Sequence, residues 1–241
     1  MKYGRNTYSK LACMVCIMSV LAFSCCKRGG RKPETELQIA HQANSPMAQQ
    51  LIGVLMHTDV LKQNNLQAAF NHIQGGITAD ILILSDTEAI EHLIREPGWV
   101  IVSRFANDRN EDSLTQSLVL VSQSFLASSE GAVIGFLQAL MDGWFYLAQN
   151  PKLAAEWYTA DGDRMPGLQE LNLYASFEPN YRAMMKGHVS LNLSNKDRGN
   201  LQRKADHILG GDNSGFGQRI DMDYLRKAER EWWAVPDQYP E

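Results

Sequence analysis

Residues 79–84, Ala-Asp-Ile-Leu-Ile-Leu, constrain the fold of this chain more than any other stretch. A strand wet on one side alternates apolar and polar residues. Four successive aliphatic side chains leave no wet side, so the run reads as a strand buried on both faces. It passes without a spacer into Ser85-Asp86-Thr87-Glu88, where Ser85 or Asp86 caps a helix and Glu88 completes most of a capping box. A doubly covered strand feeding a capped helix is the repeating unit of an α/β protein.

The rest of the chain fits that unit. Strands are predicted at 37–41, 66–73, 99–105 and 117–122. Between the first two, Ser45 is a good N-cap, Pro46 suits a first helical turn, and Leu51, Ile52, Leu55 and Met56 supply a buried face. The order strand, helix, strand, strand, helix, strand, strand, helix predicts a largely parallel sheet with flanking helices. A long helix follows the last strand and stops at Asn150-Pro151, with a second helix continuing through Trp157. At about 100° per residue, Val133, Leu137, Leu140, Trp144 and Leu147 share one stripe, and Gln138, Asp142 and Tyr146 fall opposite. Its rings are therefore expected to pack, with Tyr146 turned outward. From Pro166 onward the pattern is mostly helical, notably 176–187, 195–209 and 221–234, the last two joined by the glycine-rich 210–217.

The first 26 residues have a different character. Lys2, Arg5 and Lys10 precede an apolar or small run from Leu11 to Phe23, too short to span a bilayer and laid out as a secretory signal. It ends in Leu21-Ala22-Phe23-Ser24-Cys25, which resembles the lipobox of bacterial lipoproteins; the resemblance implies acylation at Cys25, palmitate being one such chain, with Cys26 as the alternative. All four cysteines (Cys13, Cys16, Cys25, Cys26) lie before Lys27 and none follows, so the expected exported body has no internal disulfide and relies on a packed core. The expected layout is a signal at 1–25, a charged tether at 26–36 and one α/β domain at 37–241. Removing residues 1–24 takes three basic and no acidic residues from a chain with 23 basic and 27 acidic ones, leaving net −7. That balance and the lack of a basic stripe exclude a nucleic-acid partner.

In open α/β sheets, ligands sit beyond the carboxyl ends of the strands, where helix starts present free N–H groups. Two such places are expected here, Asn44-Ser45 and Ser85-Asp86-Thr87. Each serine reads either as a ligand hydroxyl or as a plain N-cap. Asp86 repels an anion and suits a cationic or amine-bearing ligand. Arg104, near a strand end, is an anion clamp or a salt-bridge partner, and Trp99 walls a cleft or packs. The six histidines (41, 57, 72, 92, 188, 207) form no H-x₃-H or H-x-H pair, so no local metal motif exists and only distant positions could assemble one. His41 follows a strand and reads as a hydrogen-bonded structural histidine or a cleft residue. Trp232-Trp233 pin the last helix or meet a membrane interface. No nucleophile elbow, P-loop or dinucleotide fingerprint occurs, so neither catalytic residues nor a cofactor are expected.

Residues 79–93, 117–158, 170–184 and 200–228, in that order, resemble the solute-binding proteins of bacterial ABC importers, in the branch for nitrate, sulfonates, taurine and pyrimidine precursors. The resemblance implies a type 2 periplasmic-binding-protein-like fold, with 37–98 second-lobe-like and 99–241 first-lobe-like plus C-terminal helices. One lobe is expected to be incomplete, because the opening βαβ unit is missing or reduced. It further implies a small-molecule ligand, an ABC permease as partner, and a body facing the periplasm on a lipid anchor in the bilayer. The alternative is a shortened relative that works as an envelope interaction module.

Overall fold

The computed structural model describes residues 35–42, 46–73, 78–107, 116–150, 191–211 and 215–234. Five strands, β1 (Thr35–His41), β2 (Leu66–His72), β3 (Ile81–Ser85), β4 (Trp99–Asn107) and β5 (Gln116–Ser122), form one sheet in the order β2-β1-β3-β5-β4. It takes strands from both sides of residues 98/99. In β3, Ile81 and Ile83 on one face and Leu82 and Leu84 on the other are all buried, so both faces are covered as the unbroken apolar run requires. Asp80 ties its start to β1, with its carboxylate accepting from the Gln38 N–H at 2.9 Å.

β1, β2 and β3 are parallel, and β5 is antiparallel to both of its neighbours. The reversal has a simple cause. Eight residues join β4 to β5, whereas a parallel neighbour needs a crossover of roughly a dozen or more. The outer edge of β4 is covered: Arg104 N–H donates to the Leu191 carbonyl at 2.8 Å, and Ile101 bridges Ile220.

The helices are α1 (Pro46–His57), the single turn α2 (Val60–Gln63), α3 (Asp86–Arg95), α4 (Gln123–Gln149), α5 (Asn195–Leu209) and α6 (Asp223–Ala234). α4 packs on α1, α2 and α6, whereas α3 packs on α5. The first group covers one face of the sheet and the α3–α5 pair the other. Ser122 caps α4, the helix bends at Ser129, and Asn150 ends it, with its N–H and side-chain amide both donating to the Tyr146 carbonyl. The sharp stop follows from Pro151, which disfavours helical backbone in the residue before it. Trp144 and Phe136 are fully buried, each contributing on the order of 2–3 kcal/mol. By length and composition α4 could cross a membrane, yet its predicted stripe is spent on the core.

One expectation about α4 needs correction. Its polar side does not face water. Asp142 is buried and accepts from the Trp232 indole N–H at 2.8 Å and the Asn64 amide at 2.9 Å, while Gln138 reaches the Ala228 carbonyl at 3.5 Å. Tyr146 is half-buried. α6 lies where solvent was expected, and Trp232 is the pin that holds it. At the α1 crossing, a Cβ added to Gly143 would come within 3.0 Å of Leu51 Cδ1, so glycine permits the close approach. The second helix after Pro151 and the proposed helix at 176–187 lie outside the described residues.

Candidate ligand site at the carboxyl end of the sheet

The strand order places a topological switch between β1 and β3: from β1 the chain goes to β2 on one side, and from β3 to β4 and β5 on the other. Helices leaving two such neighbours diverge to opposite faces and open a crevice between the strand ends. His41 ends β1 and Ser85 ends β3 there. Asn44 and Ser45, the residues expected at the start of α1, lie outside the described residues, as does Cys25.

At the start of α3 the N–H groups of Ser85, Thr87 and Glu88 and the Ser85 hydroxyl have partners from the helix start itself. Ser85 Oγ accepts from the Glu88 N–H at 3.4 Å, and the Ser85 N–H and hydroxyl donate to the Glu88 carboxylate at 3.1 and 2.7 Å. The Thr87 N–H donates to Asp86 Oδ1 at 2.8 Å. The capping box is complete. Two carboxylates thus stand where a bound anion would, at the positive end of the helix dipole.

The two charged candidates are also engaged, and by one element. The Asp86 side chain is 4% exposed and pairs with Lys204 Nζ at 2.7 Å. The amine expected opposite Asp86 is therefore the protein's own. Arg104 sits in β4 between two register shifts, a place where bulges re-aim side chains, and its guanidinium pairs with Asp197 at 2.7 Å. Asp197 also accepts from the Ser194 N–H and hydroxyl at 2.8 and 2.6 Å, closing the capping box of α5. Burial works to raise the Asp197 pKa, but the Ser194 hydrogen bonds and the Arg104 charge outweigh it and hold the carboxyl below its ordinary range. Lys204 and Asp197 both belong to α5. Packed on α3, that helix closes the β3 side of the crevice with two ion pairs.

The β1 side is different. His41 is 6% exposed, and its Nδ1 is buried without a hydrogen-bond partner. Its ring lies 4.3 Å from that of His72, its register partner at the end of β2, and 6.5 Å edge-on from Phe70. Burial first, then the neighbouring His72, lowers the His41 pKa to about 4. Trp99 packs edge-on against His92 at 5.2 Å.

The predicted residues thus divide. Ser85, Asp86 and Thr87 lie together, Arg104 is tied to them through α5, and Asn44 and Ser45 are not described. Sequence reasoning missed α5 as the closing element and His72 as a neighbour of His41. Register alignment of the two parallel strands was the only signal for the latter. Clefts of about 740, 560 and 480 Å³ lie along α6, between α3 and Phe216, and beside β2, and none of these three is lined by Ser85, Asp86, Thr87 or Arg104. Among the described residues no group of three or more His, Cys, Asp or Glu is placed to hold a metal ion.

No protein-family model matches the chain, and no curated protein does. Solved structures do. A periplasmic sulfonate-binding protein, SsuA, from Methylobacillus flagellatus KT superposes with a TM-score of 0.58 at 10% identity, over 87% of this chain and 98% of that one. The periplasmic aliphatic sulphonate-binding protein SsuA from Escherichia coli gives 0.51 at 10% identity, over 80% and 92%. The chain has the periplasmic-binding-protein fold.

Proposed function

We propose that this chain is the lipid-anchored solute-binding component of an ABC importer. It captures a small organic molecule or anion of sulfonate, nitrate or pyrimidine type in the crevice at the β1/β3 switch. The observation that carries the reading is the fold itself, shared over 98% of a sulfonate-binding protein's length, with β1 and β3 neighbours at a topological switch. The signal-like first 25 residues and Cys25 support a place on the periplasmic side of a membrane. Asn44 and Ser45 offer the ligand hydrogen bonds at the start of α1, and Ser85 and Thr87 line the opposite wall. Asp86 and Arg104 hold α5 against that wall.

The test is thermal unfolding with panels of aliphatic sulfonates, nitrate, amines and pyrimidines. A ligand at one hundred times its Kd adds about 2.7 kcal/mol. In a domain of this size that is a rise of roughly 5–10 °C. A flat response across the panel rejects capture.

A second reading is supported by the β3 strand end, where the hydroxyl, the amides and both charges answer one another internally. On that reading the chain is a binding-protein relative that works as an envelope interaction module. Co-purification from detergent-solubilised membranes then returns a stoichiometric partner. Recovery of the lone chain with ligand bound excludes it.

A further inference from the structure

We infer that His41 and His72 form a two-histidine chelate for a divalent transition-metal ion, at the carboxyl ends of β1 and β2. The two residues are 31 positions apart in sequence and carry no motif. The parallel register brings them together, because His41 pairs with His72 just as Ile39 pairs with Phe70, so both imidazoles stand on one face at one end of the sheet.

Three observations carry the assignment. The rings are 4.3 Å apart, centre to centre, and tilted by 53°, so they neither stack flat nor hydrogen-bond to each other. His41 is 6% exposed with its Nδ1 buried and unpartnered, and a buried polar atom left so costs on the order of 1–3 kcal/mol unless something fills its place. His72 is exposed on an edge strand, so an ion held by the pair keeps contact with water.

The separation also selects the metal. An ion about 2.0 Å from each ring nitrogen lies about 3.2 Å from each ring centre. Centres 4.3 Å apart then subtend roughly 85° at the ion. That is a cis pair of a square-planar or tetragonal ion, well short of the tetrahedral angle that zinc prefers. Imidazole donors with this geometry suit Cu(II) and then Ni(II), and copper stands highest in the affinity order of the divalent series. With two protein ligands the remaining positions belong to water. The site should exchange its metal, and it shares His41 with the β1 side of the switch.

The test uses the full chain and CuCl₂ alone, followed by titration calorimetry and electron paramagnetic resonance. The expected result is one Cu(II) per chain at micromolar Kd, a spectrum with two equivalent nitrogen ligands, and weaker binding of Ni(II) and Zn(II). His72→Ala, a change on an exposed edge position, should weaken copper binding at least tenfold, and His57→Ala should leave it unchanged. Equal affinity in the wild type and His72→Ala overturns the assignment. So does a wild-type spectrum with fewer than two nitrogens, which settles the matter even where a variant folds poorly.

Discussion

Two neighbouring strands end side by side in this molecule, and they end differently. At the end of β3 each polar group of Ser85, Asp86, Thr87 and Glu88 named above has a partner from the same chain. At the end of β1, His41 is buried with one ring nitrogen unanswered. The two ends have the same local chemistry, a strand running into a helix start. What separates them is α5, which lies on the β3 side and brings Lys204 and Asp197 with it. Binding capacity in such a sheet therefore depends less on the strand–helix corner itself than on what later parts of the chain lay across it.

The sharpest way to break this contrast is to open the closed end. Arg104→Met removes a 6%-exposed cation and leaves the partly exposed Asp197 carboxylate with Ser194 alone. A loss of about 3 kcal/mol is expected in denaturant unfolding, because a largely buried ion pair loses one partner. A loss under about 1 kcal/mol would mean that α5 is held by apolar packing alone.

The open end is probed by acid. In the unfolded chain His41 titrates near 6.5, and in the folded chain near 4. Between those values the unfolded state binds the extra proton, so the contribution is complete above about pH 6.5 and is lost as pH falls toward 4. The expected loss is about 3 kcal/mol. Burial lowers His92 as well, so His41→Gln should flatten most of the slope and leave a remainder. The closed end responds in a lower window, since the Asp197 pKa is depressed and its contribution disappears only as pH falls below the usual carboxylate range. One continuous decline with no change in His41→Gln would erase the distinction between the ends.

Smaller effects sharpen it further. Lys204→Met leaves Asp86 without its ammonium, but Lys204 is about one-third exposed and water screens part of the pair. About 1–2 kcal/mol is expected from guanidinium unfolding. Ser85→Ala removes one cap oxygen and should cost about 1 kcal/mol by the same measurement. Should Ser85→Ala instead abolish a ligand's thermal shift while costing no stability, Ser85 would be a ligand residue rather than a cap.

Much of the fold was legible because it is written locally. The double coverage of Ile81–Leu84, the Ser85–Glu88 capping box and the Asn150 stop each depend on a handful of adjacent residues. The reversed direction of β5 could have been read from the short link before it. The site was less legible for a physical reason. Asp86 and Lys204 are 118 residues apart, and any of the chain's basic residues would have served as well on paper. The same holds for Asp142, whose burial is decided by Trp232 in another helix, and for His41, whose neighbour emerges only from strand register.

The placement of α5 also orders events in time. The hydrogen bonds of a strand-to-helix corner need only adjacent residues, but the clasp over this one comes from α5, with Lys204 118 residues after Asp86. A chain made amino end first therefore exposes this corner well before α5 can latch it. It is then most open to proteolysis and mispairing, and Asn195–Leu209 decides when that window shuts.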